Sequence, residues 1–361
     1  METSEEKTGF YAVYGTVMFV ILIMGLLGNI VIIPVLLSSE HRKKSNSPFM
    51  LNMAFVDILL CAFGFTVSVS YNLAVKSEST KDSLRCAWLA FINCFSGINS
   101  IATLTVMAAI SYTGVTSLRA AQVQRFDSKK TAIIIAGIWI YSFVTTIPPA
   151  FGWNRFVPFL DGISCHPDWV SQKPADKAYI GFLVVLGFFL PMIIIVFSYL
   201  KTYGYIRHAT IPASLSNESV FRRQLETKRK TLRMVVAAIL MFFISWSPYC
   251  IVSLIESAKG EVVLSPGVSM IPELMAKASV MYNPVVYTLM NARFRATLKR
   301  LLHLSPMEET TDLMSMTAGT STLASQGKVS QTGEECSDGP RVISVVESKE
   351  RRALFAKVDR G

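Results

Sequence analysis

Lys277 stands inside an apolar stretch, with Met275, Ala276, Ala278, Val280 and Met281 around it. A lysine at the centre of a hydrocarbon layer costs at least about 2.5–3.5 kcal/mol, so the group must be paired or put to use. Two chemistries suit it. The side chain can form an ion pair with a carboxylate, Asp57 being one candidate, or its free amine can add to an aldehyde and make a Schiff base. A Schiff base that keeps a proton needs negative charge beside it. Glu273 precedes Lys277 by four residues, which on a helix places both on one face about a turn apart. The plainer alternative leaves Glu273 hydrated at the outer end of the helix. Asp161 is a weaker candidate for the same role. No metal cluster, phosphate loop or hydrolytic triad is evident. The histidines His41, His166, His208 and His303 are scattered in or near loops and the tail; only His166, beside Cys165, is placed to influence a bound group or respond to extracellular pH, and loop solvation is the plainer account of it.

The elements that must position these residues are read from hydropathy. Hydrophobic residues make up 51% of the 361 and charged ones 17%, and the mean hydropathy is +0.42. A soluble domain carries about a quarter charged residues. The apolar residues fall in seven blocks, near Tyr11–Leu37, Pro48–Ala74, Arg85–Thr116, Lys130–Phe151, Tyr179–Ile206, Lys228–Ala258 and Val268–Asn291. Each is long enough to cross a layer about 30 Å thick. In lipid a chain must satisfy its own backbone hydrogen bonds, so each block reads as a helix. The short alternating segments of a β-barrel are absent. The reading is an all-α membrane protein, a seven-transmembrane helix bundle. Residues 1–10 precede the first span, which is expected to act as its own insertion signal rather than as a cleaved leader.

The net charge of +10 gathers between spans one and two (His41–Lys44), three and four, five and six (Arg222, Arg223, Lys228, Arg229, Lys230, Arg233), and after span seven. The positive-inside rule then places the chain in the cell membrane with its N-terminus outside and its C-terminus in the cytoplasm. Basic fringes on membrane spans are accounted for by anionic lipid and acidic protein surfaces, so nucleic acid is not an expected partner. Cys86 and Cys165 both fall on the oxidising outer side and predict a disulfide. Cys61, Cys94 and Cys250 lie within spans as packed thiols, and Cys336 lies in the tail. The one sequon, at Asn217, falls on the cytoplasmic side. Residues 303–361 are rich in Ser and Thr and poor in aromatics, which predicts a disordered cytoplasmic tail, either simply solvating or a site of phosphorylation.

Polar and helix-breaking residues recur inside the spans: Gly28-Asn29, Asn52 with Asp57, Trp139, Pro191 with Tyr199, Trp246-Ser247-Pro248-Tyr249, and Asn283-Pro284-Val285-Val286-Tyr287. In this order the set resembles the rhodopsin-like G-protein-coupled receptors over residues 11–302. The resemblance implies that Asn29, Asp57, Asn283, Pro284 and Tyr287 belong to an activation switch with Tyr199 and Ser111, and that Asn291-Ala-Arg-Phe-Arg opens a short amphipathic eighth helix. Pro191, Pro248 and Pro284 each remove a backbone hydrogen bond and bend a helix, which leaves a cavity and natural pivots.

Lys277 lies six residues before Asn283, where opsins attach retinal. That position implies an opsin with retinal, 11-cis or all-trans, as chromophore. The pocket would take Trp246, Tyr249, Phe188, Gly97, Asn93 and Cys94, closed outside by the segment Pro148–Pro158. Heterotrimeric G protein, arrestin, receptor kinase at the tail and membrane lipids are the partners the resemblance implies. Two departures qualify it. The usual acidic counterion positions are Leu89 and Phe159, so Glu273 is expected to serve, or the Schiff base stays unprotonated and absorbs in the ultraviolet. The Asp/Glu-Arg-Tyr triplet that usually ends span three is replaced by Ile110-Ser111-Tyr112. The runs 271–277 and 281–284 look most like neuropsin-related non-visual opsins. Three readings follow: a light receptor acting through a G protein; a photoisomerase or retinal-storing opsin with little signalling; a receptor for another small molecule with Lys277 as a charge partner only. None is an enzyme in the ordinary sense, the photoisomerase excepted.

Overall fold

The structure, a computed structural model, describes residues 4–42, 44–73, 83–119, 127–159, 164–207 and 218–302. Asp161, Asn217, Cys336, His208, His303 and the tail lie outside the described residues. Span one is α1 (Ser4–Leu37). Span two is α2 (Ser47–Leu60), a π-helical turn at Cys61–Phe65, and α3 (Thr66–Leu73). Span three is α4 (Ser83–Arg119), and span four is α5 (Ser128–Thr146). Two short strands follow, β1 (Phe156–Phe159) and β2 (Ser164–Pro167), paired antiparallel with Pro158 opposite Cys165. Span five is α6 (Pro174–Val184), a π-helical turn at Val185–Phe189, and α7 (Leu190–Arg207). Span six is α8 (Glu218–Lys259). Span seven comprises α9 (Pro266–Lys277) and α10 (Ser279–Met290), and α11 (Ala292–Leu301) is the eighth helix.

Five stretches are individually long and apolar enough to cross a membrane: 12–37, 47–70, 84–114, 174–207 and 225–259. The other two depart from the expected blocks for local reasons. The fourth was expected to run to Phe151, but its α-helix ends at Thr146. The next turn, Pro148–Phe151, is 3₁₀, because the successive prolines supply no N–H to continue the α-helical ladder. The seventh was expected as one helix and is interrupted at Ala278. There Met281 N–H bonds the Ala278 carbonyl at 3.0 Å, three residues back rather than four.

Pro284, within α10, has no N–H to give the Val280 carbonyl one turn earlier. That carbonyl instead accepts the Asn29 side-chain amide from α1 at 2.9 Å. The π-turn in span five likewise leaves the Leu186 carbonyl to the Tyr141 hydroxyl at 2.5 Å, and in span two the Cys61 carbonyl takes both the Thr66 N–H of the π-turn and the Thr66 hydroxyl, the latter at 2.9 Å. Breaks in a membrane helix persist only where neighbours take up the freed groups.

α4 is the central helix, packed against α2, α5, α7, α8 and both strands. Polar residues are buried along it (Asn99, Thr103, Ser111), whereas Phe19, Ile133, Ile193, Phe197 and Ile244 on outer helices are exposed. The pattern suits a bundle immersed in lipid, which removes the drive to hide apolar side chains. α11 is capped by Asn291, whose side-chain oxygen accepts the Phe294 N–H at 3.1 Å. It buries Phe294 and Thr297 and turns Arg293, Arg295, Lys299 and Arg300 outward.

Candidate functional site

Lys277 is the last residue of α9, and Glu273 lies one turn before it on the same face. Both are buried, their side chains 8% exposed, and the Lys277 Nζ lies 2.7 Å from Glu273 Oε1. The ammonium also donates to the Tyr14 hydroxyl oxygen at 2.8 Å and to Ser164 Oγ at 3.0 Å. Its three N–H donors therefore meet three acceptors, carried by span seven, span one and β2. The Tyr14 hydroxyl in turn donates to Glu273 Oε1 at 3.2 Å. Among the described residues, Glu273 Oε2 is buried without a hydrogen-bond partner. The hydrated Glu273 considered from the sequence is therefore not what the fold contains. An ion pair removed from water holds only if its remaining hydrogen bonds are well made. Here Tyr14 and Ser164 supply them for Lys277, and Tyr14 for Glu273 Oε1 alone.

A cavity lies between spans three, five and six. It is lined by Cys94, Gly97, Phe188, Trp246 and Tyr249, together with Ile98, Trp169, Leu183 and others, and leaves about 690 Å³ free of protein atoms, its open mouth included. Trp246 stacks on Phe242 with ring centroids 5.6 Å apart and meets Tyr249 edge-on at 6.2 Å. Phe188 meets Phe243 edge-on at 5.4 Å. A Cβ added at Gly97 would come 2.6 Å from Trp246 Cη2, so glycine leaves the room that the indole occupies against α4. Lys277 and Glu273 are not among the lining residues. Trp246 links cavity to lysine, since its indole N–H donates to Ser279 Oγ at 3.2 Å, two residues beyond Lys277. Asn93, expected in the wall, turns its amide onto its own helix at the Leu89 carbonyl, 2.7 Å away. The fold thus holds a buried amine paired with a carboxylate on span seven, and an aromatic apolar cavity joined to that span through Trp246 and Ser279.

The outer closure is built from β1, β2 and their flanks. Cys86 of α4 and Cys165 of β2 form the disulfide, with a Cα separation of 5.4 Å. This bond holds β2 over the bundle, and so holds Ser164 on Lys277. Trp169, a few residues on, donates from its indole to the Tyr249 hydroxyl at 3.1 Å and walls the cavity. His166 packs on Phe159 at 4.8 Å, and its Nδ1 lies 2.7 Å from the Pro167 carbonyl. A carbonyl only accepts, so Nδ1 carries the proton. Burial pulls the imidazole below its ordinary range, and Glu273 and Lys277 both act on it electrostatically.

Further along span seven, Asn283 donates to Asp57 Oδ2 at 3.1 Å. Asn29, a further residue of the expected switch, donates to the carbonyls of Gly25 at 2.8 Å and Val280. Tyr287 is fully buried with its hydroxyl on Met53 Sδ at 3.7 Å. Tyr199 stacks on Tyr203 at 6.3 Å and packs with Ile206 and Leu232 between spans five and six. Ser111 is buried and donates to its own helix at the Met107 carbonyl, 2.7 Å away. Three residues below, Gly114 lies against the Lys228 ammonium of α8.

Sequence reasoning missed Tyr14 and Ser164. Ser164 adjoins a predicted disulfide cysteine, and Tyr14 is a polar residue within a span, but neither fact alone points at Lys277.

The family described as "7 transmembrane receptor (rhodopsin family)" matches residues 28–287. The melanopsin of Phodopus sungorus is 30% identical over 87% of this chain and 69% of its own length. The melanopsin of Homo sapiens is 31% identical over 80% of this chain and 61% of its own. The crystal structure of squid rhodopsin superposes with a TM-score of 0.74 at 22% identity, covering 90% of this chain and 93% of that one.

Proposed function

Since the chain belongs to the rhodopsin family of seven-transmembrane receptors, a multi-pass membrane protein related to melanopsins and not to enzymes, we propose that it is a non-visual, light-sensing opsin. Retinal, 11-cis or all-trans, would be held by a Schiff base on Lys277, supplying the light-absorbing chemistry. One observation carries this reading: a lysine buried in the bundle, 2.7 Å from the carboxylate of Glu273, beside an aromatic cavity. The unpartnered Glu273 Oε2 and the apolar wall at Gly97 and Trp246 suit a protonated nitrogen at one end and a polyene along the other.

The residues divide the work. Glu273 supplies the counter-charge that the positions of Leu89 and Phe159 lack. Ser164 and Tyr14 orient the nitrogen. Cys94, Gly97, Phe188, Trp246 and Tyr249 exclude water and shape the space, with Asn93 bracing α4 behind them. The Cys86–Cys165 disulfide keeps the outer closure in place. A change in shape within the cavity would press on Trp246, whose indole is tied to Ser279 in span seven, and so reach Pro284, Asn283, Asp57 and Tyr287. The N-terminus lies outside and the tail in the cytoplasm, where a G protein, and at the Ser/Thr-rich tail a receptor kinase and arrestin, are the partners the family offers.

A second reading has an observation of its own. Ser111 stands where the family places its switch arginine and is committed to its own helix, which favours a photoisomerase or retinal-storing opsin with weak coupling. Spectra after addition of each retinal isomer, before and after illumination, with Lys277→Ala as control, test the retinal reading. A band that forms equally without the lysine would end it. Light-dependent nucleotide exchange on purified G proteins then separates the two: exchange supports the receptor, and photoconversion without exchange supports the photoisomerase.

A further inference from the structure

Tyr14 lies on α1, 259 residues from Glu273. Its ring is fully buried, and it packs with Met18, Ile21, Phe65 and Met270. Its single hydroxyl hydrogen goes to Glu273 Oε1 and its lone pair takes a Lys277 N–H. Among the described residues it is the one neutral group that donates to this carboxylate, because Oε2 has no partner.

The donor count changes when Lys277 carries retinal. An ammonium condensing with an aldehyde keeps its positive charge. Two of its hydrogens leave with the aldehyde oxygen as water, and one N–H remains on the carbon–nitrogen double bond. Three acceptors then compete for one donor, and the charged carboxylate takes it. Tyr14 and Ser164 each lose the N–H they accepted. The Tyr14 hydroxyl still has its hydrogen, and its ring is packed so that the hydrogen stays aimed at Glu273.

We propose that Tyr14 is a positioning residue that fixes the Glu273 carboxylate and sets how readily it takes up a proton when Lys277 is linked to retinal. This rests on the retinal reading above. A hydrogen bond to the ionised form favours that form. A carboxylate with one neutral donor loses much when that donor goes, so its protonation moves to higher pH by about one to two units in Tyr14→Phe.

The test is an acid titration of the full chain loaded with retinal, in sulfate so that no halide replaces the lost charge. Protonating the counterion moves a protonated Schiff-base band to longer wavelength, and the midpoint reads the carboxylate. Glu273→Gln is expected to abolish the step. Tyr14→Phe is expected to raise the midpoint by one to two units, about a 10- to 100-fold change in proton affinity. A ring-fluorinated tyrosine placed at position 14 donates more strongly and lowers the midpoint. It also keeps the shape of the side chain, so it decides the matter if Tyr14→Phe does not fold. A merely structural role would not move the midpoint in opposite directions. A lysine-dependent band whose acid step is indifferent to residue 14 overturns this proposal alone. A band that forms equally in Lys277→Ala overturns the retinal reading beneath it.

Discussion

Replacing Glu273 by glutamine keeps the shape of the side chain and removes its charge. At 2.7 Å, with an effective dielectric constant of about 20, the attraction between a positive nitrogen and this carboxylate is about 6 kcal/mol. At 1.36 kcal/mol per pH unit that is about four to five units in the affinity of the nitrogen for its proton. The amide dipole and relaxation recover part of it, leaving about two to four units. The sign is fixed: the carboxylate favours the protonated nitrogen, so without it the proton is lost at lower pH. In the retinal-loaded protein the visible band of Glu273→Gln is expected to give way to a near-ultraviolet band two to four pH units below the wild-type midpoint. The assay is an absorption titration in detergent at fixed ionic strength. A Glu273→Gln protein with the same band and the same alkaline midpoint as wild type would refute the assignment of Glu273 as counterion, and would turn attention to Asp161.

Other consequences follow from the same geometry. Gly97→Ala sets a Cβ about 2.6 Å from an indole that is stacked and hydrogen-bonded, an overpacking that costs about 1–3 kcal/mol; less retinal uptake and faster thermal decay are expected, and unchanged values would show that the indole moves freely. Loss of the Cys86–Cys165 bond, which spans 79 residues, costs about 4.5 kcal/mol by chain entropy; Cys165→Ser is expected to lower the melting temperature and release Ser164 from Lys277, and an unaltered melting temperature would contradict this. Against α11 Glu40 meets Arg300 at 2.7 Å and Thr297 at 3.0 Å, and these hydrogen bonds, Arg300 first, hold its carboxyl below the ordinary range. A depressed carboxylate contributes above its unfolded value and fails as pH falls through the lowered one. Amide exchange in α11 should therefore rise only in acid below the usual carboxylate range, and a rise near neutrality would refute the contact's role.

The bundle was legible because lipid imposes one rule on every span, and seven apolar blocks obey it. Lys277 and Glu273 were legible as a pair because a four-residue spacing has one meaning on a helix. Tyr14 and Ser164 were not, since they reach Lys277 from 263 and 113 residues away, and no local pattern carries such closure. The break at Ala278 was hidden for a similar reason. Pro284 announces a missing N–H, but where the helix yields depends on Asn29 of α1 accepting the task of bonding the Val280 carbonyl. The amide hydrogens of Asn29 go to two backbone carbonyls, and Asn283 is the switch residue whose amide meets Asp57.

The central claim is a covalent link at one nitrogen. Borohydride reduction of the retinal-loaded full chain converts a Schiff base to a stable secondary amine, and peptide mass mapping then locates it. The account predicts a retinyl group on the peptide that contains Lys277 and on no other lysine, with the label absent in Lys277→Ala. A retinyl group on a different lysine, or a retinal-dependent band that leaves Lys277 unlabelled after reduction, would contradict it.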